Sequence, residues 1–255
     1  FPDHGWIQDE LDEYREDPFY QTVRARIGIS DEEVVHDIME NTLHILGRCN
    51  NPADWGQNRQ GLVFGMVQSG KTASMINLVA AGIRAGYKLF IVLAGDKSSL
   101  RDQTQDRFNT SFKLENGINK ATRVFSPTWD NDFGNTGYAY TGSFKTQMLQ
   151  VGKQYATIIV IKKEKNHLRD LLDQLKLLRK FCERNGIEMA DAFPTMVLDD
   201  EADYASQNTK PTGGGSTIWR SLCKIRNAVP KNCYVAYTAT PQACLSASPE
   251  DPIGY

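Results

Sequence analysis

The chain has 255 residues, 40% of them hydrophobic and 24% charged, with a formal net charge of −2. That length holds one large α/β domain or two small ones, and the apolar content is enough to close a sizeable core. No run of 18 apolar residues occurs, and the opening FPDHGWIQDELDEYRED lacks the basic end and apolar stretch of a signal peptide, so a cytoplasmic protein without a membrane partner is expected.

Residues 1–33 carry ten Asp/Glu against three Lys/Arg, which leaves +5 for residues 34–255. The acidic lead reads as a solvated helical segment, and the mildly basic body is compatible with a nucleic-acid or partner surface without being a strongly basic domain. Within that lead, Ser30 with Glu33 three residues later reads as a capping box. Apolar Val34, Val35, Ile38, Met39, Leu43 and Leu46 then predict a helix over about 31–47. CNNPADWGQNRQG breaks it. Residues 1–55 are therefore taken as an acidic helical extension.

From Gly61 onward apolar β-rich runs alternate with helical patterns. GLVFG precedes a helix over about 71–85, YKLFIVLAG one over about 98–112, and YATIIVIKK one over about 165–184; PTMVLDDEAD and NCYVAYTAT are further strands flanking a helix at about 217–228. Continuous apolar strands separated by helices predict an α/β fold, a parallel sheet wound with helices on both faces, over residues 56–255. Residues 113–143 and the stretch SQNTKPTGGGSTIW read as long loops.

The segment GLVFGMVQSGKTASMIN carries Gly65, Gly70, Lys71 and Thr72 in the phosphate-loop spacing G-x-x-x-x-G-K-[ST], after a short strand and at the start of a helix. Backbone N–H groups at a helix N-terminus can surround phosphates, with Gln68, Ser69 and Ala73 lining the loop. Lys71 is expected to reach the β/γ oxygens, and Thr72 to ligate Mg²⁺. Hydrolysis also needs a carboxylate on a neighbouring strand and a group that orients water. Asp200 and Glu201 stand at the end of the apolar run Met196, Val197 and Leu198, and are assigned to Mg²⁺ and water respectively. A one-residue register shift would substitute Asp199 for Asp200, with a poorer fit at the base position.

Asp200-Glu201-Ala202-Asp203 spells the DEAD sequence of superfamily-two helicases, and Thr238-Ala239-Thr240 resembles their Ser/Thr-Ala-Thr coupling motif. GMVQSGKTASM, VLDDEADYAS and YTATPQA together resemble the Z-one domain, a helicase-like family often described as an endonuclease and associated with MORC-type ATPases in bacterial defence loci. The resemblance spans roughly residues 55–245 and implies the first RecA-like domain of an ATP- and Mg²⁺-dependent motor. It implies that Thr238 and Thr240 couple hydrolysis to domain movement. It also nominates Lys97, Ser98, Ser99 and Arg101, and then Lys162 and Lys163, as contacts to a nucleic-acid backbone, with DNA favoured. Such donors at strand ends and helix N-termini suit phosphates rather than base edges.

The chain begins without Met and stops at PIGY soon after the coupling motif, so it reads as part of a longer protein whose second RecA-like domain is absent; alone it should hydrolyse ATP weakly. No counterpart of the adenine-reading Gln motif stands out, Gln57 and Gln60 being unsupported, and no acidic pair with a separated E-x-K supports a nuclease. Five cysteines without C-x-x-C spacing read as reduced thiols, and the four histidines form no metal motif. A second reading, from a different class, is a nucleotide-controlled interaction module that signals to a partner ATPase or nuclease without translocation.

Overall fold

The computed structural model describes residues 4–65, 70–132, 155–203 and 216–240. A 3-10 turn (Gly5–Glu10) leads into α1 (Leu11–Glu16), α2 (Pro18–Ala25) and α3 (Glu32–Arg48). The remaining elements are β1 (Gln60–Phe64), α4 (Lys71–Ala85), β2 (Leu89–Ala94), α5 (Ser98–Phe112), β3 (Ile118–Asn119), β4 (Val124–Phe125), β5 (Ala156–Lys162), α6 (Lys165–Arg184), α7 (Met189–Ala192), β6 (Thr195–Asp199), α8 (Thr217–Ala228) and β7 (Asn232–Thr238). The cap of α3 lies one residue beyond the predicted box. Asp31 rather than Ser30 accepts from the Glu33 and Val34 amides, because a carboxylate there satisfies two orphan donors, typically for about 1 kcal/mol.

The strands form one sheet in the order β1-β7-β6-β2-β5-β4-β3, parallel except for the β3–β4 pair. The expected fold class, a parallel sheet covered by helices on both faces, is the one observed. Its reason is visible in the alternation. Phe90, Val92, Ile158, Val160, Met196 and Leu198 join one core with α1–α5. Their neighbours Leu89, Ile91, Ile159, Ile161 and Val197 join another with α6, α7 and α8. Successive strand side chains point to opposite faces, so a strand apolar at every position must be covered twice.

Two features depart from the sequence reading. Part of the expected 113–143 loop is a short hairpin: β3 pairs antiparallel with β4, and β4 runs parallel to β5, extending the sheet. Two-residue strands carry too little alternation to be read in sequence. The N-terminal extension also shares its core with the body, since Tyr14, Tyr20, Leu43 and Leu46 are buried with Met75, Val79 and Phe108. Arg84 of α4 anchors it, lying 4.1 Å over the Tyr14 ring and 2.9 Å from Glu13.

Among the described residues no helix is long and apolar enough to cross a membrane.

Candidate functional site

Because β1, β7, β6, β2 and β5 are all parallel, the residues after their C-terminal ends meet along one edge. Gly65 follows β1, Gly95 follows β2, Lys163 follows β5 and Asp200 follows β6, while Thr238 ends β7. Gly70 stands before α4 with φ 76, a left-handed conformation that glycine adopts without a Cβ penalty. The Gly65 amide donates to the Thr238 carbonyl at 3.0 Å, so the start of the phosphate-loop spacing is hydrogen-bonded to the end of β7. Gln68 and Ser69 lie outside the described residues.

Lys71 and Asp200 face each other with Nζ 3.8 Å from Oδ1. Thr72, Asp200 and Glu201 border one cavity of about 80 Å³ together with Gly95 and Arg107. A hydroxyl and carboxylates are hard oxygen donors, and Mg²⁺ commonly takes one or two carboxylates plus phosphate oxygens, so this donor set fits it. Burial raises the Asp200 carboxyl above the ordinary range; the Lys71 ammonium opposes that rise and the Glu201 carboxylate adds to it. Ala73 is buried one turn into α4.

The acidic turn is held from three sides. The Asp200 amide donates to Leu93 O at 3.0 Å, and the Ala202 amide to Tyr237 O at 3.0 Å. Beneath it Lys163 Nζ lies 2.9 Å from Asp199 Oδ1 and donates to the carbonyls of Asp200 and Glu201, each at 2.7 Å. Asp199 is fully buried and also accepts from the Tyr234 hydroxyl. Asp199, the alternative to Asp200 in the sequence, thus spends its carboxylate on Lys163 and Tyr234. Glu201 has φ 53, a left-handed conformation that costs a non-glycine residue about 1–2 kcal/mol. Its Oε2 stands 3.1 Å from where a Cβ on Gly95 would be.

Asp203 joins the acidic turn to the strand end. Its Oδ1 accepts from Thr238 Oγ1 at 2.8 Å and its Oδ2 accepts from Thr240 Oγ1, while the Thr240 amide donates to Thr238 Oγ1 at 2.9 Å. Burial raises the Asp203 carboxyl, but the hydrogen bonds from Thr240 and Thr238 outweigh it, leaving a pKa below the usual carboxylate value. Sequence reasoning quoted Asp203 without giving it a role; its place as the last letter of DEAD was the available signal.

The six candidate polymer contacts divide. Lys97, Ser98 and Ser99 are exposed at the start of α5, and Lys162 reaches toward them with Nζ 3.4 Å from Ser98 Oγ. Arg101 and Lys163 do not lie on that surface, which corrects the expectation for them. Arg101 is 2% exposed and spends its guanidinium on Val160 O, Thr128 O and Gln105 Oε1. Lys163 is equally buried under the acidic turn. Both were nominated by the family resemblance, from the place of their segments after a strand, which does not tell an outward side chain from an inward one. Asp132, also unforeseen, accepts from the Lys162 amide at 2.7 Å and lies 3.0 Å from His167 Nδ1, bracing the end of β5.

No protein-family model matches the chain, and no curated protein matches it by sequence. Among solved structures, a variant of S. cerevisiae Dbp5 bound to RNA and ADP BeF3 is similar, with 15% sequence identity and a TM-score of 0.42. The similarity covers 84% of this chain and 45% of that one, so the chain spans less than half the length of that relative.

Proposed function

We propose that this chain is the ATP-binding and hydrolysing domain of a superfamily-two helicase-like, nucleic-acid-dependent ATPase or translocase of the Z-one type, serving bacterial defence. The observation that carries this reading is the meeting of Lys71, Thr72, Asp200 and Glu201 at one sheet edge, with Asp203 linked to Thr238 and Thr240 beside them.

In this reading Gly65, Gly70 and the backbone at the start of α4 receive the phosphates, and Lys71 leaves Asp200 to bind their β/γ oxygens. Mg²⁺, when bound, would offset the charge of the phosphates. Thr72 and Asp200 would hold it, and Glu201 accepts the proton of the attacking water. The left-handed backbone at Glu201 and the close approach of Gly95 aim that carboxylate into the cavity. Asp203, Thr238 and Thr240 pass the state of the site to β7, and an arginine from a second RecA-like domain completes it. Lys97, Ser98, Ser99 and Lys162 form the polymer contact, with DNA favoured, and a MORC-type ATPase is the expected protein partner.

The test is the ATP hydrolysis rate of the protein without polymer and with single-stranded DNA, duplex DNA or RNA. Strong stimulation by one polymer, lost at high salt, supports the motor. A flat rate across all four turns the reading to the nucleotide-controlled interaction module. The burial of Arg101 and Lys163 favours that second reading, since it removes two of the six proposed polymer contacts.

A further inference from the structure

A pair of buried thiols meets near the start of β7, at the far end of that strand from Thr238. Cys49 is the residue that closes α3, and Cys233 is the second residue of β7. They are 2% and 1% exposed and share one core. Their sulfurs are hydrogen-bonded to each other. Both also line a cavity of about 100 Å³ whose other walls include β1 and the exposed residues Arg48 and Arg59. A volume of that size holds a few water-sized molecules, so a small neutral oxidant can reach sulfurs that are closed to larger reagents.

The backbone around each sulfur is fixed. The Cys49 amide donates to the Ile45 and Leu46 carbonyls, and its own carbonyl accepts from Trp6 Nε1 at 3.0 Å and from Arg59 at 3.2 Å. The Asn50 carbonyl accepts from the Tyr87 hydroxyl at 2.6 Å. Cys233 is held in the sheet opposite Met196 of β6. Two groups already held in contact react without the entropic cost of being brought together. The two thiols are also unequal. The hydrogen bond from the Cys49 thiol draws Cys233 below the ordinary thiol pKa against the opposing effect of burial, and the Asn50 amide, the Arg226 guanidinium and the Tyr87 hydroxyl act in the same direction. The same bond, together with burial, pushes Cys49 well up, so Cys49 keeps its proton. The thiolate is the nucleophilic form of cysteine, which makes Cys233 the sulfur that reacts first.

We propose that Cys49 and Cys233 form a redox modification site, in which a small hydroperoxide oxidises Cys233 and Cys49 then closes a reversible disulfide. The Cys233 sulfur attacks one peroxide oxygen. An S–O bond forms as the O–O bond breaks, the sulfur gives up two electrons, and the leaving hydroxide takes up the proton that Cys233 released and departs as water. The Cys49 sulfur then attacks the Cys233 sulfur. The S–S bond forms, the S–O bond breaks, and the hydroxyl leaves with the Cys49 proton as a second water. An added dithiol reverses the bond by exchange. The disulfide ties the end of α3, in the N-terminal extension, to the strand whose other end meets Asp203 through Thr238. Because it joins residues far apart in the chain, it constrains the unfolded state strongly. Neither Lys71, Thr72, Asp200 nor Glu201 takes part, so the site stands apart from the nucleotide reading.

The experiment treats the folded chain with hydrogen peroxide, blocks the remaining thiols and maps unreduced peptides by mass spectrometry, with Cys49→Ala and Cys233→Ala treated alongside. The native chain is expected to yield a peptide pair joined through Cys49 and Cys233, lighter by two hydrogens and separated by dithiothreitol. Its urea midpoint should rise by about 1 M on oxidation and return on reduction, with no such rise in either variant. In Cys49→Ala, dimedone should capture Cys233 as the sulfenic acid; in Cys233→Ala, Cys49 should stay a thiol. The native map requires no substitution, so it decides the site even where a variant fails to fold. Absence of the joined pair from the peroxide-treated folded chain, its appearance only in urea, or pairing of either sulfur with Cys182, Cys223 or Cys244 instead overturns the proposal. Capture of Cys49 rather than Cys233 as the sulfenic acid overturns the order of attack.

Discussion

The Asp203 carboxylate accepts a hydrogen bond from the Thr238 hydroxyl at 2.8 Å, joining the turn after β6 to the end of β7. Its second oxygen is taken by Thr240. Any displacement of the acidic turn therefore pulls on the strand end directly. In Asp203→Asn one of the two acceptor oxygens becomes an amide donor. Hydrogen bonds to charged groups are worth about 1.5–3 kcal/mol, so the ratio of polymer-stimulated to basal hydrolysis should fall roughly 10- to 100-fold. ATP affinity should stay within about twofold, because Asp203 is not assigned to the phosphates. Thr240→Ala should show the same pattern more weakly, and full stimulation in both variants would remove the coupling role.

Lys71 and Glu201 border the same site and are expected to fail differently. Lys71→Ala removes the charge that the proposed function assigns to phosphate and should weaken nucleotide binding about 100-fold or more, as read by titration calorimetry. Glu201→Gln should hold affinity within about threefold and slow phosphate release by about 10²–10⁴. Equal loss of binding in the two variants would sink the division of roles.

Gly95, just after β2, leaves room for the Glu201 carboxylate. A Cβ there meets Glu201 Oε2 and Leu100 Cδ1, each at 3.1 Å, closer than ordinary van der Waals contact. Gly95→Ala is expected to lower kcat by about 10- to 100-fold through misplacement of that carboxylate, with little change in ATP affinity. A variant with native kcat would show that Glu201 is not held by this contact.

Lys163 belongs to the interior. Its ammonium pairs with Asp199 and caps two carbonyls of the acidic turn, with both side chains fully buried. Lys163→Met leaves Asp199 charged and unpaired, which typically costs about 3–5 kcal/mol and should appear as an earlier urea midpoint. A change at a surface residue contacting only a polymer would alter stability by less than about 0.5 kcal/mol and leave the midpoint nearly in place.

Acid should separate Asp203 from Asp200. The folded pKa of Asp203 is lowered by its threonine bonds, so its stabilisation is present above the unfolded carboxylate pKa and disappears as pH falls through the lower folded value. Asp200 has a raised folded pKa, chiefly from burial, so protonation favours the folded state and its own contribution has the opposite sign. Asp203→Asn should therefore lose less stability than the native chain on acidification from neutral pH, and Asp200→Asn should lose more. Urea midpoints across that pH range measure both.

By itself the sequence determined the fold class and the backbone of the candidate site. The runs around Phe90–Leu93, Ile158–Ile161 and Met196–Leu198 are apolar at every position, so they require a sheet covered on both faces. The spacing of Gly65, Gly70, Lys71 and Thr72, and the position of Asp200 and Glu201 after an apolar strand, are local patterns that name the chemistry without coordinates. Tertiary structure alone decided which charged residues face outward. Lys162 and Lys163 are adjacent in sequence, yet one lies beside Ser98 and the other beneath the acidic turn, because neighbouring residues at a strand end point to opposite sides. Strand order decided the rest. It seats β6 between β7 and β2, which brings Asp203 to Thr238 and Glu201 to Gly95, and helix packing sets Cys49 against Cys233. Those contacts join segments far apart in the chain, where no periodicity or local spacing records them.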